Sequence, residues 1–322
     1  MTQTNWGIVG LGKIAHTFAS DLLTVEGANL YAVASRSQSK ADKFSEQYLA
    51  TKAYGAYKEL LADQHIDIVY IATPHVFHKE NSIDVLKSGK AVLCEKPFAM
   101  NLQDVKSMIK VAKTESQFLM EALWTNYMPT IQRLTEIIRN KTYGNIINLK
   151  ADFCFKPDYD PNSRLFNPEL GGGALLDIGI YPVYLALKLL GKPDTIITES
   201  KKADTGVDLS THMIFKYQNG VKANLYCSFN ENSNGEALVK FEDAEIKLHS
   251  RFHETDKLSI SRHTSEELID YHYKAKGYHF EIMHAQDCLN KGLKESPLMP
   301  FEFSVLLIET LDKIRHQIGL EY

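Results

Sequence analysis

The strongest constraint on the fold is the alternation of apolar runs with amphipathic segments over residues 1–121. "IDIVYIATP" at 66–74 and "AVLCEKP" at 91–97 are apolar and rich in β-branched residues, as in strands that are covered on both faces. "HKENSIDVLKSGK" at 78–90 and "NLQDVKSMIKVAKTES" at 101–116 have helical periodicity. Strands that alternate with helices over short connections form a parallel sheet with helices on both faces. Residues 1–121 are therefore predicted to form an α/β domain with a doubly wound parallel sheet.

The pattern changes after residue 121. A helix is predicted after Pro129, and a second follows the glycines at 171–173 and reaches about residue 190. From 195 to 262 one strand follows another, and Asn219-Gly220 is a strong hairpin signal. Two helices, around 279–292 and 302–318, complete the pattern. We predict that residues 122–322 form an α+β domain with a large, mostly antiparallel open sheet, and leave open whether the last helix packs on the first domain.

Composition excludes several classes of protein. The 322 residues carry a net charge of −4, so no basic footprint for nucleic acid is expected. The N-terminus lacks the basic and apolar regions of a signal peptide, and no apolar run reaches the length of about 18 residues that a membrane span needs. The cysteines at 94, 154, 227 and 288 are scattered and contain no CxxC pair. These features predict a cytoplasmic protein with reduced, mostly buried thiols.

A glycine motif stands where the first predicted strand meets the first predicted helix. Gly10-Leu11-Gly12-Lys13-Ile14-Ala15 fits G-x-G-x-x-G/A. The pattern alone is weak, but a strand before it and a helix after it are the context that dinucleotide sites require. The glycines let the backbone approach a pyrophosphate, whose charge the helix N-terminus favours. We therefore predict a Rossmann domain in which Gly10, Gly12, Lys13 and Ile14 bind the cofactor.

The end of the second predicted strand indicates which dinucleotide is bound. NAD is usually recognised there by an Asp or Glu that holds the ribose 2′-hydroxyl. This strand ends in Ser35 and Arg36, with Lys40 shortly after, and has no acid. A guanidinium makes bidentate contacts with phosphate, so we predict NADP, with NAD less favoured. The alternative is that Arg36 is a solvated loop residue that stacks on adenine.

The loops after the third and fourth long strands are predicted to surround the nicotinamide end of the cofactor. Thr73, Pro74 and His78 follow one of these strands and would border the nicotinamide ribose. Glu95 and Lys96 end the other and are assigned to the cofactor site. Lys96 stands between an apolar strand and a proline, so partial desolvation would lower its pKa into a catalytically useful range. The alternative is a surface loop lysine.

A metal site is not expected. His75 and His78 form an H-x-x-H pattern, but no third ligand with metal-site spacing follows, and His249 and His253 are isolated. Catalytic zinc usually has three protein ligands.

The stretch "GGGALLDIGIYPV" at 171–183 combines a flexible glycine turn with an apolar helix that carries a carboxylate and a phenol. Asp177 and Tyr181 are four residues apart, which places both on one face of a helix. From these residues alone, a hydrogen-bonding role for Asp177 at the helix end and a core position for Tyr181 are the favoured interpretations.

Taken together, these motifs resemble those of the Gfo/Idh/MocA family of NAD(P)-dependent oxidoreductases. The resemblance covers essentially the whole chain, and the carrying motifs are GxGxxA at 10–15, "ASRS" at 34–37, "ATPHVFH" at 72–78, "EKP" at 95–97 and "GGGALLDIGIYPV" at 171–183. It implies a Rossmann domain followed by a substrate-binding α/β domain whose open sheet commonly forms a dimer interface. An uncovered sheet face needs a cover, so we expect a homodimer.

The resemblance also implies catalytic residues. Many sugar dehydrogenases of the family carry D-x-G-x-H, whereas this chain has Tyr181 in the position of the histidine. A branch with this tyrosine uses NADP to oxidise aldoses such as D-xylose or trans-dihydrodiols, with the lysine of EKP and this tyrosine implied as catalytic. That branch often has arginine after W-T, where this chain has Asn126, and this leaves the substrate specificity in doubt.

In the implied mechanism, Tyr181 exchanges a proton with a hydroxyl or carbonyl of a sugar, polyol or vicinal diol. Lys96 lowers the phenol pKa from its usual value of about 10 and binds the same oxygen. Asp177 orients the substrate or balances the charge of Lys96. In addition to Tyr181, the candidates for the substrate pocket are Trp124, Phe155 and Arg164. Aromatic residues are more often part of the hydrophobic core.

Two other functions remain open. An NAD-dependent inositol or amino-sugar dehydrogenase is disfavoured by Ser35 and Arg36 and by tyrosine at 181. A non-catalytic NADP-binding regulator is disfavoured because Lys96 and Tyr181 are both present.

Overall fold

The computed structural model describes residues 3–263 and 265–322, and its contacts divide the chain into two compact units. Unit 1 takes the chain up to Tyr127 together with Lys274–Ile308, and unit 2 comprises Met128–Tyr273 and Glu309–Tyr322. Residues 122–127 and the segment 274–308 thus group with the first part of the chain. The domain division predicted at residue 121 stays a prediction.

Unit 1 contains a six-stranded parallel sheet flanked by helices. Its strands are β1 (Thr4–Val9), β2 (Ala28–Ala34), β3 (Lys52–Tyr54), β4 (Ile68–Ile71), β5 (Ala91–Glu95) and β6 (Leu119–Ala122). Its helices in this part of the chain are α1 (Lys13–Leu22), α2 (Gln38–Tyr48), α3 (Tyr57–Ala62), α4 (His78–Lys87) and α5 (Leu102–Thr114). The strand order β3-β2-β1-β4-β5-β6 reverses between β1 and β4, the crevice where such sheets bind dinucleotides. The predicted doubly wound fold is confirmed.

Burial explains why these segments form strands and helices. Every residue of β4 and β5 is buried, as expected for strands covered on both faces. Helix α5 begins after Asn101, whose side chain accepts a hydrogen bond from the Asp104 backbone N–H, and it buries a stripe that includes Val105 and Ile109.

Unit 2 contains an eight-stranded, mostly antiparallel sheet, which confirms the second half of the predicted fold class. Its strands are β7 (Ile146–Cys154), β8 (Thr195–Lys202), β9 (Asp208–Lys216), β10 (Lys222–Ser228), β11 (Ala237–Phe241), β12 (Glu245–Leu248), β13 (Lys257–Arg262) and β14 (Ser265–Asp270). They lie in the order β14-β13-β12-β11-β7-β10-β9-β8, and only the β7–β10 pair is parallel. The predicted Asn219-Gly220 turn joins β9 to β10, with Gly220 at φ +83°.

The sheet of unit 2 has one covered and one open face. Its inner face packs against α7 (Ile180–Leu190) and the helical turn before it. Leu149 of β7 and Leu225 of β10 point inward and are fully buried, whereas Lys150 and Asn224 point outward and are exposed. The remaining helices are α6 (Pro129–Arg139), α8 (Tyr278–Asn290) and α9 (Phe301–Gln317).

Short or charged elements escaped the sequence prediction. Strand β3 has three residues, and β14 is an exposed edge strand with four polar residues, so neither shows an apolar pattern. The strand predicted at 66–74 is four residues long in the structure, because residues 72–74 leave the sheet as a loop.

One helical run is more apolar than the sequence prediction allowed. The stretch Pro168–Leu190 is long and apolar enough to cross a membrane by length and composition, and 89% of its apolar window is buried inside the protein. The four cysteines are buried free thiols, as predicted.

Candidate active site

The turn between β1 and α1 presses directly on the loop after β4. Gly10 has φ +89°, and an added Cβ would lie 2.7 Å from the Thr73 backbone nitrogen and 2.8 Å from the Ala72 carbonyl carbon. Two backbones approach here more closely than any side chain allows. Position 10 therefore requires glycine for both its conformation and its space.

The N-terminus of α1 is open. No side chain at Gly12 caps the helix, and a Cβ built there would meet nothing within 4 Å. Lys13 is exposed and Ile14 half-buried in the first turn. The first turn of a helix presents N–H groups that lack helical partners and favour an anion. The space and the donors fit the pyrophosphate of a dinucleotide, and the cofactor contacts assigned to Gly10, Gly12, Lys13 and Ile14 stay predictions.

The loop after β2 supports one buried hydroxyl and one exposed cation. The Ser35 N–H donates to the Tyr54 carbonyl at 3.1 Å, and the residue is 8% exposed. The adjacent Arg36 is exposed. Burial raises the pKa of the Tyr57 phenol, and the charge of Arg36 partly offsets that rise, so the guanidinium lies near α3.

His78 ties the loop after β4 to the loop after β5. Its Nε2 lies 2.8 Å from the Thr73 carbonyl oxygen and its Nδ1 lies 2.9 Å from that of Pro97. The ring is 1% exposed, and burial lowers its pKa. A neutral imidazole has one N–H, so it donates to one of the two carbonyls at a time. The bridge was not foreseen, and the predicted cofactor contact of His78 stays a prediction.

Two buried carboxylates hold the backbone around Lys96. Glu95 accepts hydrogen bonds from the Tyr70 hydroxyl and from the Lys96 N–H, the latter at 3.2 Å. Glu121 accepts from the Phe98 N–H at 3.1 Å, and burial raises its pKa to about 7. Lys96 itself is half-buried and precedes a cis peptide bond to proline. The backbone at Lys96 and Phe98 is thus held by hydrogen bonds to buried carboxylates.

Trp124 and Asn126 belong to unit 1 and are buried. The Trp124 ring stacks on Tyr278 with centroids 4.4 Å apart and an interplanar angle of 10°. The Asn126 side-chain amide donates to the Leu298 carbonyl at 3.1 Å, and the residue is fully buried. Asn126 thus anchors the segment between α8 and α9, a role that its sequence position did not reveal.

Asp177 and Tyr181 lie on one continuous helical run in unit 2. Leu175–Gly179 form a π-helix and α7 follows directly. The predicted helix is present, but its first turn is wider than an α-helix. Gly179 packs so closely on β10 that a Cβ would stand 2.7 Å from the Cys227 sulfur. Asp177 is 8% and Tyr181 5% exposed.

The carboxylate of Asp177 is paired with a cation. Arg164 Nη1 lies 2.9 Å from Asp177 Oδ1, and the arginine side chain is 54% exposed while that of the aspartate is 11% exposed. The sequence prediction placed Arg164 in the substrate pocket and did not include this ion pair. The pair restrains the carboxylate and leaves much of the guanidinium accessible.

An imidazole that sequence reasoning set aside lies against Tyr181. The His253 ring is 4.7 Å from the Tyr181 ring and stacks on Phe153 at 4.1 Å. Phe155 lies 6.2 Å from Phe153, so this pocket candidate belongs to the same aromatic group. His253 is 3% exposed. No local pattern links positions this far apart in the chain, so only the fold reveals the pairing.

Over residues 3–263 and 265–322, no group of three or more His, Cys, Asp or Glu side chains is arranged to hold a metal ion.

Comparison with known proteins identifies the family. The model of the oxidoreductase family with the NAD-binding Rossmann fold matches residues 4–123, and that of the GFO/IDH/MocA C-terminal domain matches residues 131–247. The chain belongs to the Gfo/Idh/MocA oxidoreductase family. It is 34% identical to mouse trans-1,2-dihydrobenzene-1,2-diol dehydrogenase, with 98% of this chain and 97% of that protein covered. The human protein of the same name is 33% identical, and the same fractions of the two chains are covered.

Solved structures share the fold. Aldose-aldose oxidoreductase from Caulobacter crescentus superimposes with a TM-score of 0.90 at 21% identity, with 98% of each chain covered. The 3-ketoreductase KijD10 from Actinomadura kijaniata, in complex with NADP and TDP-benzene, gives a TM-score of 0.88 at 22% identity, again over 98% of each chain. The chain is thus an NAD(P)-dependent oxidoreductase with the two-part fold of its family.

The two units offer different chemistry. Unit 1 supplies the glycine turn, the open helix N-terminus and the restrained Lys96. Unit 2 supplies a phenol beside an imidazole and a carboxylate beside a guanidinium. The bound nicotinamide carries the hydride, and the protein has to orient it and move a proton. The roles assigned to Lys96, Asp177 and Tyr181 stay predictions.

Replacing Gly10 by alanine is expected to destabilise the fold and weaken NADPH binding at least tenfold. Alanine at positive φ costs about 1–2 kcal/mol wherever it occurs, and at Gly10 the methyl group would also push the Thr73 loop away. Gly89→Ala is the matched control, because Gly89 has φ +81° and open space around it. Chemical unfolding and NADPH titration by fluorescence measure both effects. Equal NADPH affinity in the two variants would contradict the close-approach argument.

Proposed function

We propose that the protein is an NADP-dependent dehydrogenase that transfers a hydride between the nicotinamide and a CH–OH carbon of an aldose, a polyol or a trans-dihydrodiol. The observation that carries the proposal is a buried tyrosine on the D-x-G-x-Y segment of a chain related over 98% of its length to trans-1,2-dihydrobenzene-1,2-diol dehydrogenases. The aldose-aldose oxidoreductase among the fold relatives supports a sugar-like substrate.

The preference for NADP is proposed from the loop after β2. Ser35 and the exposed Arg36 provide a hydroxyl and a guanidinium where an NAD site would place a carboxylate. A guanidinium recognises phosphate through parallel N–H···O bonds. The NADP complexes among the fold relatives support the same choice.

In the oxidation direction, the carbinol carbon gives up a hydride and the hydroxyl gives up its proton. We assign this proton transfer to Tyr181. Its phenolate form accepts the proton, and the resulting phenol returns it in the reverse reaction. We assign two roles to Lys96: it binds the same reacting oxygen, and it stabilises the phenolate. Asp177, restrained by Arg164 at 2.9 Å, is assigned to orienting the substrate hydroxyls.

The substrate contacts proposed beyond these are Trp124, Phe155 and Arg164. Phe155 belongs to the aromatic group with Phe153, and the half-exposed Arg164 offers donors to hydroxyls. Aromatic rings together with a few polar groups would suit either a dihydrodiol ring or the apolar face of a sugar.

A homodimer through the open face of the eight-stranded sheet is also proposed, in a cytoplasmic setting that free thiols suit. On that face Ile197 of β8 is 45% exposed and pairs with Ile214 of β9, so the face offers adjacent apolar side chains to a second copy of the chain. Light scattering of the purified protein is expected to give about twice the chain mass of 36.5 kDa, and a monomer mass at micromolar concentration would contradict the proposal.

Replacing Arg36 by glutamine is expected to raise KM for NADP at least tenfold and to leave KM for NAD within about threefold. The lost charge-assisted contacts act only on the 2′-phosphate and are typically worth about 1.5–3 kcal/mol. Lys40→Gln, which removes a second exposed cation from the same region, is the control. Initial rates at varied cofactor concentration measure the effect. An equal loss with both cofactors would show that Arg36 does not read the phosphate.

The experiment that tests the function follows NADPH absorbance with D-xylose, D-glucose, myo-inositol and a trans-dihydrodiol, each with NADP and with NAD. Turnover of xylose or the dihydrodiol with NADP is expected. Tyr181→Phe should lower kcat by about 10²–10⁴, the usual contribution of a general acid–base, with unchanged NADPH affinity. Tyr184→Phe on the same helix is the control. Full activity in Tyr181→Phe would remove the tyrosine from the mechanism.

A further inference from the structure

Asp208 reaches across unit 2 to the start of the segment that carries Asp177 and Tyr181. It is the first residue of β9 and is fully buried. Its Oδ2 accepts hydrogen bonds from the Leu175 backbone N–H at 2.8 Å and from the Thr211 hydroxyl at 3.1 Å. Leu175 is the first residue of the π-helix. The carboxylate therefore caps this segment from 33 positions away in the chain.

The other oxygen of the Asp208 carboxylate packs against the glycine turn at 171–173. Oδ1 of Asp208 is buried without a hydrogen-bond partner, and a Cβ at Gly173 would overlap it. Gly173 has φ +120°, a conformation that other residues rarely adopt. On the same turn, the Tyr322 hydroxyl donates to the Gly172 carbonyl. Two side chains from distant parts of unit 2 thus fix the turn.

The ionised form of Asp208 is costly here. Burial raises its pKa to about 6, against a model-peptide value near 4. The folded state therefore holds the proton more tightly than the unfolded state, so this residue's contribution to stability is lost as pH rises from about 4 through about 6. The neighbouring titratable groups are the Cys227 thiol and the Tyr322 phenol, and Arg315 lies over the Tyr322 ring. The hydrogen bonds from Leu175 and Thr211 favour the ionised form and offset part of this cost.

We propose that Asp208 is a positioning residue for the reaction, which sets Tyr181 and Asp177 by holding the Leu175 N–H and the glycine turn. A carboxylate accepts an N–H bond more strongly than a neutral group, and a negative charge is favoured at a helix N-terminus. The inference rests on the proposed function only in naming Tyr181 as the proton-exchanging group.

The test compares Asp208→Asn, which keeps an oxygen acceptor of the same size, with Asp208→Ala, which removes it. Asp208→Ala is expected to lower kcat at least tenfold, leave the NADPH dissociation constant within twofold, and speed amide hydrogen exchange in peptide 171–183. Asp208→Asn should restore kcat to within about threefold of wild type. It should be at least as stable as wild type at pH 8, and the difference in stability should shrink towards pH 4. Thr211→Val removes the other donor to Asp208 and is the control, with kcat within threefold.

If Asp208→Ala unfolds, Asp208→Ser takes its place in the same measurements, because the serine side chain is too short to reach the Leu175 N–H. Unchanged kcat and unchanged exchange in a folded Ala or Ser variant would overturn the proposal and make Asp208 a plain core residue. Failure of Asn to restore kcat would overturn it as well. If wild type turns over no substrate, the proposed function fails, and the exchange rates still decide whether Asp208 holds the segment.

Discussion

The site in unit 1 depends on backbone approaching backbone at the carboxyl edge of a parallel sheet. Gly10 meets the Thr73 peptide at a distance that excludes any Cβ, and His78 joins the Thr73 and Pro97 carbonyls behind it. Three strand ends are thereby fixed relative to one another. The open N-terminus of α1 and the turn that carries Lys96 both take their positions from this arrangement, so cofactor binding and the lysine share one support.

Unit 2 fixes its reactive groups differently, through buried polar and aromatic side chains from distant strands. Asp208 holds the start of the helical run, Arg164 holds Asp177, and His253 packs on Tyr181. The imidazole beside the phenol is a second ionisable group next to the proposed proton carrier. The His253 ring stacks on Phe153, and both rings lie beside the Tyr181 ring. This packing limits the orientations that Tyr181 can take. Both units therefore place a proposed catalytic side chain on a restrained backbone.

The sequence predicted the features that depend on local pattern. Buried strands such as β4, the glycine turn at Gly10 and the hairpin at Asn219-Gly220 each follow from neighbouring residues, and the structure has all three. The π-helix at 175–179 was not predicted, because no local pattern marks its wider turn; Gly179 at its end packs closely on Cys227 of β10. The His253–Tyr181 and Asp208–Leu175 contacts join positions far apart in the chain, and periodicity carries no information about such pairs.

The central claim is direct hydride transfer between a CH–OH carbon and the nicotinamide, and isotope transfer tests it most directly. The purified protein would be incubated with NADP and either D-xylose deuterated at C1 or a trans-dihydrodiol deuterated at its carbinol carbons, and the reduced cofactor analysed by mass spectrometry. The account predicts NADPH that carries one deuterium at C4 of the nicotinamide. Reduced cofactor without deuterium, or no reduction with either substrate despite tight NADPH binding, would contradict it.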